Sequence, residues 1–88
     1  VATLRVFVET GCRNCDWALR LAEEVRERFP ELDVWVADIA DSTSERPEEV
    51  FAVPTFLLDG RVVSLGNPRP GKLVSDISAA LERERCGT

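Results

Sequence analysis

Two thiols pose the chemical question. Cys12 and Cys15 stand in Gly11-Cys12-Arg13-Asn14-Cys15, in a chain of 88 residues that holds three cysteines. At a helix start, side chains three apart reach each other across one turn. The first thiol then lies beside unpaired backbone N–H groups, at the positive end of the helix dipole. That setting favours the thiolate, the species that attacks disulfides and binds metals. Arg13 adds positive charge in the same sense, while Glu9 and Asp16 act against it. Helix geometry leaves the first sulfur exposed and the second partly buried. The pair suits a dithiol–disulfide couple in which Cys12 attacks and Cys15 resolves the mixed disulfide.

Other uses of two thiols compete with that one. Zinc needs two ligands more, yet the chain has no His, and its third cysteine, Cys86, lies in the tail. No resident metal and no cofactor is expected. A Cu(I) ion held by Cys12 and Cys15 alone is the stronger rival. Small copper-carrying domains also set CxxC between a first strand and a first helix. They run β-α-β-β-α-β and usually carry Met just ahead of the motif, whereas this chain has no Met and ends on a helical pattern. A binding module whose cysteines seldom cycle is the third reading.

Several elements must position the pair. Leu4-Arg5-Val6-Phe7-Val8 alternates and is β-branched, which predicts a strand over 3–9. Cys15, Ala18, Ala22, Val25 and Phe29 recur at helical spacing, so a helix runs over about 13–29 until Pro30 stops it. Thr10 is its candidate cap. Residues 33–39 alternate again, making a βαβ unit with a parallel pair and a right-handed crossover. The polar connection 40–52 has room for a short helical turn at 47–51, capped by Ser44. Two apolar runs, 53–58 and 61–65, flank Asp59-Gly60, a strong hairpin signal. A loop over 66–71 leads to a last helix with Leu73, Val74, Ile77, Ala80 and Leu81 on one face. Residues 82–88 are polar and expected to fray. Trp17 and Trp35 read as packing residues, with Trp17 a candidate for the rim of the dithiol site.

The result is one α/β domain over 1–88. Its four-stranded mixed sheet is flanked by helices in the order β-α-β-(short α)-β-β-α. A chain this short buries about 60–65% of its unfolded surface, enough for a core without a disulfide framework. Three cysteines fit a reducing compartment, the cytoplasm. No apolar run approaches the roughly 20 residues that span a bilayer, and no signal peptide is visible. The chain opens on Val1 rather than Met, so a leader removed before that point stays open. The formal charge of −5 argues against nucleic acid and anionic membranes as partners. Arg20, Glu24 and Arg28 follow at i,i+4, a solvated face that pairs with itself.

Val53-Pro54-Thr55 completes the pattern. Proline at a strand's first residue is tolerated because the ladder has not begun. Taken with Gly11-Cys12-Arg13-Asn14-Cys15, the Asp59-Gly60 hairpin and Gly66 ahead of the last helix, it resembles the thioredoxin-fold family over nearly the whole chain. The short thioredoxin-like and glutaredoxin-like dithiol proteins are the nearest in form. The resemblance implies a thioredoxin-like fold and a thiol–disulfide oxidoreductase, with Cys12 as nucleophile and Cys15 as resolving thiol. It makes Pro54 the cis-proline facing the disulfide, and lets the Val53 backbone pair with an extended substrate segment. Thr55, Gly11 and Arg13 then join the substrate-binding set. The implied partners are a protein disulfide and an upstream reductase or thiol reductant, met by a monomer. The chain departs from thioredoxins at Gly11, where they usually carry Trp, and at Asn14, where they carry Pro. It departs again at Asp16, which replaces Lys, and at Val6, which replaces a buried acid.

Overall fold

The computed structural model describes residues 2–9, 11–39 and 53–87. Alternation builds its sheet: Leu4, Val6 and Val8 share one side of β1 (Thr3–Val8), and all three are buried. β2 (Asp33–Asp38) pairs with β1 in parallel, Leu4 opposite Val34 and Val8 opposite Asp38. The crossover that a parallel pair requires is α1 (Arg13–Arg28). β3 (Thr55–Leu58) lies antiparallel on the other side of β1, with β4 (Arg61–Leu65) antiparallel beside it. The spatial order is therefore β2-β1-β3-β4, and α2 (Pro70–Gly87) ends the described chain. This is the mixed four-stranded sheet expected. The short helix at 47–51, its cap Ser44, Thr10 and the side chain of Cys86 lie outside the described residues.

Asp59 and Gly60 turn the hairpin with φ of 51° and 83°, the paired positive values of a type I′ turn. Asp59 also anchors that turn to β1. Its N–H donates to the Thr3 carbonyl and its Oδ1 accepts from the Thr3 N–H, both at 2.9 Å.

Both long helices pack on one face of the sheet. Leu4, Val6, Val8, Phe56 and Leu58 meet Ala18, Leu21, Ala22 and Val25 of α1 and Leu73, Ile77, Ala80 and Leu81 of α2 in one cluster. Phe7 and Leu57 point to the opposite face, beside Ala37 and Ile39. The Arg5 guanidinium lies 5.0 Å from the Phe7 ring centre, since residues two apart on a strand share a face.

Several boundaries and placements correct the sequence reading. α2 begins at Pro70, inside the expected loop, because a helix's first turn does not use the N–H that proline lacks. It continues through Gly87, although 82–88 was expected to fray. Ala80 and Leu81 are buried just before that stretch, and Arg85 pairs with both Glu31 and Glu82. Both tryptophans are exposed rather than packed, Trp17 by 45% and Trp35 by 60%. Trp17 sits two residues past Cys15, about 200° round the helix from the buried stripe. Trp35 faces away from the helices on β2 and donates from Nε1 to Asp33 Oδ2. The ion pair that forms along α1 joins Glu23 and Arg26, not the i,i+4 positions through Glu24. Among the described residues, no helix is long and apolar enough to cross a membrane.

Candidate active site

β1 ends at Val8 and α1 begins at Arg13, so the residues between them must reverse the chain within a few steps. Gly11 makes that reversal with φ of 86°, a left-handed conformation that costs a residue with a side chain about 1–2 kcal/mol. Cys12 follows as the N-cap of α1 in extended conformation (φ −82°, ψ 119°). Its Sγ accepts a hydrogen bond from the Cys15 backbone N–H at 3.2 Å. The cap is thus the cysteine itself, where sequence reasoning had placed Thr10. A sulfur in the acceptor position that Ser or Asp usually fills is fixed against the first helical turn.

The two thiols differ in environment. Cys12 is half-buried, at the edge of the core, while Cys15 is 2% exposed and inside it. Burial pushes the Cys15 thiol up to about 11, helped by its hydrogen bond with Cys12 and by the charges of Cys12 and Asp16. A backbone hydrogen bond at Glu9 pulls the other way, by more than either of those charges pushes. Desolvation penalises the charged form, so Cys15 keeps its proton in the resting protein.

A hollow of about 340 Å³ opens beside the pair. Gly11, Arg13, Asp16, Leu19 and Glu9 line it together with Asp38, which reaches it from the end of β2. Sequence reasoning missed Asp38 and Leu19. The signal for Asp38 was present: it falls in step with Val34 and Val36 on the helix-facing side of β2.

A hydrogen-bonded loop ties the start of β3 to the same corner. The Gly66 N–H donates to the Pro54 carbonyl at 2.7 Å, and Asn67 Nδ2 donates to the Asn14 carbonyl at 2.9 Å. Two adjacent residues thus hold Pro54 on one side and the CxxC turn on the other. Gly66 does so with φ of 99°, again a value that favours glycine. The Val53–Pro54 bond is cis. Val53 is half-buried and packs, like Cys12, against the main core. Pro54 is fully buried. Thr55, expected in the substrate-binding set, has 0% exposure and pairs with Phe7 and Leu65. A side chain with no surface cannot meet a substrate, so Thr55 belongs to the sheet. Cys12 and Cys15 are also the residues here that could bind a soft metal ion. Among the described residues no group of three or more His, Cys, Asp or Glu side chains is placed to hold one.

A CxxC at the tip of the first helix, and a proline opening the central antiparallel strand beside it, define a thioredoxin-like fold. Solved structures agree on that fold. Mitochondrial thioredoxin 3 of Saccharomyces cerevisiae, in its oxidised form, aligns with a TM-score of 0.70 at 24% identity, over 89% of this chain and 77% of its own. Thioredoxin of Trypanosoma brucei brucei aligns with a TM-score of 0.71 at 21% identity, over 93% and 76%. A curated relative, the thioredoxin of Methanocaldococcus jannaschii, is 29% identical over 89% of this chain and 94% of its own length. The family model described as a thioredoxin domain matches residues 2–77. The chain belongs to the thioredoxin family, and these relatives support thiol–disulfide oxidoreductase as its class of enzyme.

Proposed function

We propose that the chain exchanges electrons with a protein disulfide through Cys12 and Cys15. The observation that supports it most is the asymmetry of the pair: a capping sulfur at the surface edge, and a buried thiol one turn behind. The Cys12 thiolate attacks one sulfur of the substrate disulfide, whose S–S bond breaks as the mixed disulfide forms. The leaving thiolate takes a proton from water. Cys15 then gives up its proton and attacks Cys12 Sγ, which forms the Cys12–Cys15 disulfide and releases the second substrate thiolate. Two electrons pass to the substrate, and an upstream reductase or thiol reductant restores the dithiol.

Val53 and the Pro54 peptide form the edge along which an extended substrate segment docks by strand addition. Arg13 and Gly11 border the approach to Cys12. A monomer in a reducing compartment such as the cytoplasm suits this role. The test is turbidity during disulfide reduction of a protein substrate with an added small-thiol reductant. Wild type should accelerate precipitation and Cys12→Ser should not; equal traces from the two would remove the catalytic reading. Cys15→Ser should instead accumulate a mixed disulfide with substrate, visible as a mass adduct.

A further inference from the structure

We propose that Asn67 is a positioning residue: its amide holds the docking edge at Val53-Pro54 in register with the attacking sulfur of Cys12, and so governs reaction with protein disulfides in particular. This rests on the dithiol reading above and deepens it. The two halves of the site come from distant parts of the chain, since Cys12 caps α1 whereas Val53 and Pro54 precede β3. Cys12 and Val53 both pack against the main core, but apolar packing is non-directional. A hydrogen bond fixes direction as well as distance. The Gly66 N–H donates to the Pro54 carbonyl at 2.7 Å, and the next residue, Asn67, donates from Nδ2 to the Asn14 carbonyl inside the CxxC turn at 2.9 Å. The loop that carries Asn67 is itself held. Ser64 Oγ donates to the Gly66 carbonyl at 2.7 Å, and the buried Pro68 restricts the backbone of the residue before it.

Stability does not account for this amide. Its Oδ1 is buried and has no hydrogen-bond partner among the described residues. An acceptor left so costs at least as much as one neutral hydrogen bond returns. Reversing the amide is no remedy, because Oδ1 would then face the Asn14 carbonyl, acceptor against acceptor. Nor does Asn14 need the donor: a carbonyl in the first turn of an α-helix is bonded by the N–H four residues on. A polar side chain kept half-satisfied where two segments meet marks a demand for position. A protein substrate touches both the edge and the sulfur, and a displacement of about 1 Å between them can slow its reaction by up to about 100-fold. A small disulfide meets the sulfur alone and is indifferent to the edge.

The test compares insulin, a protein disulfide, with bis(2-hydroxyethyl) disulfide. Pre-reduced protein is mixed with each, quenched in acid, and its remaining thiols are counted by alkylation and mass. Asn67→Ala should slow oxidation by insulin about tenfold and leave oxidation by the small disulfide within about twofold of wild type. Asn67→Leu, which keeps the volume but has no N–H to donate, should match it. Both variants should melt within about 5 °C of wild type. Equal slowing with the two disulfides would place the effect on the sulfur or on the fold, and full speed with insulin would leave Asn67 no part in the reaction. Either result overturns the proposal, as does wild-type behaviour in Asn67→Leu or a much larger fall in melting temperature. If the small disulfide oxidises wild type and insulin does not, the docking edge fails and this inference with it, while the dithiol reading stands. If neither does, the dithiol reading fails first and takes this one with it.

Discussion

Cys15 is almost wholly buried, yet the proposed cycle needs its thiolate. The consequence can be measured without any substrate. A protonated thiol is neutral, so burial favours the protonated form and raises the folded value to about 11 from an ordinary 9.0. Below about pH 9 the folded and unfolded chains both hold that proton, and the contribution to stability is whole. Between pH 9 and 11 the unfolded chain releases it while the folded chain retains it. Stability of the reduced protein should therefore fall across that window, by on the order of 2 kcal/mol from this group. Urea midpoints at pH 8, 9.5 and 11 report the slope, and Cys15→Ser should lose that share of it. Identical slopes for the two proteins would mean that Cys15 is not desolvated as the fold requires.

At the level of elements, α2 separates burial from charge. Ile77 is fully buried between α2 and the sheet, whereas Arg85 is exposed and pairs with Glu31 at 3.2 Å and Glu82 at 3.4 Å. Truncating a buried Ile costs about 2–5 kcal/mol through lost burial and the cavity left behind. An exposed ion pair contributes roughly 0–1 kcal/mol, because solvent screens it and holding two long side chains together costs entropy. Ile77→Ala should thus lower the denaturation midpoint sharply, while Arg85→Ala shifts it little. A large loss in Arg85→Ala would assign the end of α2 a role that its charges alone do not explain. Ile77 was readable in the sequence from its spacing with Leu73, Ala80 and Leu81. The length of α2 was not, since Pro70 and the polar run after Leu81 both imitate helix ends. CxxC, Val53-Pro54 and Asp59-Gly60 were legible because each depends on local backbone geometry. Exposure of Trp17 and Trp35, burial of Thr55 and the arrival of Asp38 at the site depend on which strands neighbour which. That is a tertiary property, and no local pattern states it.

At the scale of the molecule, the described residues share one principal core, and this decides how they come apart. Val6 of β1, Leu21 of α1, Phe56 of β3 and Ile77 of α2 belong to the same cluster, so neither α1 nor α2 can leave without opening the sheet face they cover. A chain of 88 residues lies well within the range where such cores unfold in a single step. The two tryptophans supply separate reporters, Trp17 on α1 and Trp35 on the far side of β2. Both are exposed, so replacing either with Phe should shift stability by no more than about 0.5 kcal/mol. Trp17→Phe leaves fluorescence to report on β2, and Trp35→Phe leaves it to report on α1. Once corrected for those small shifts, the two midpoints should coincide with each other and with loss of helical circular dichroism. A fluorescence transition at β2 that precedes the one at α1 would show that the edge strand opens independently. Asp38 would then leave the dithiol site before the helix carrying the cysteines had moved.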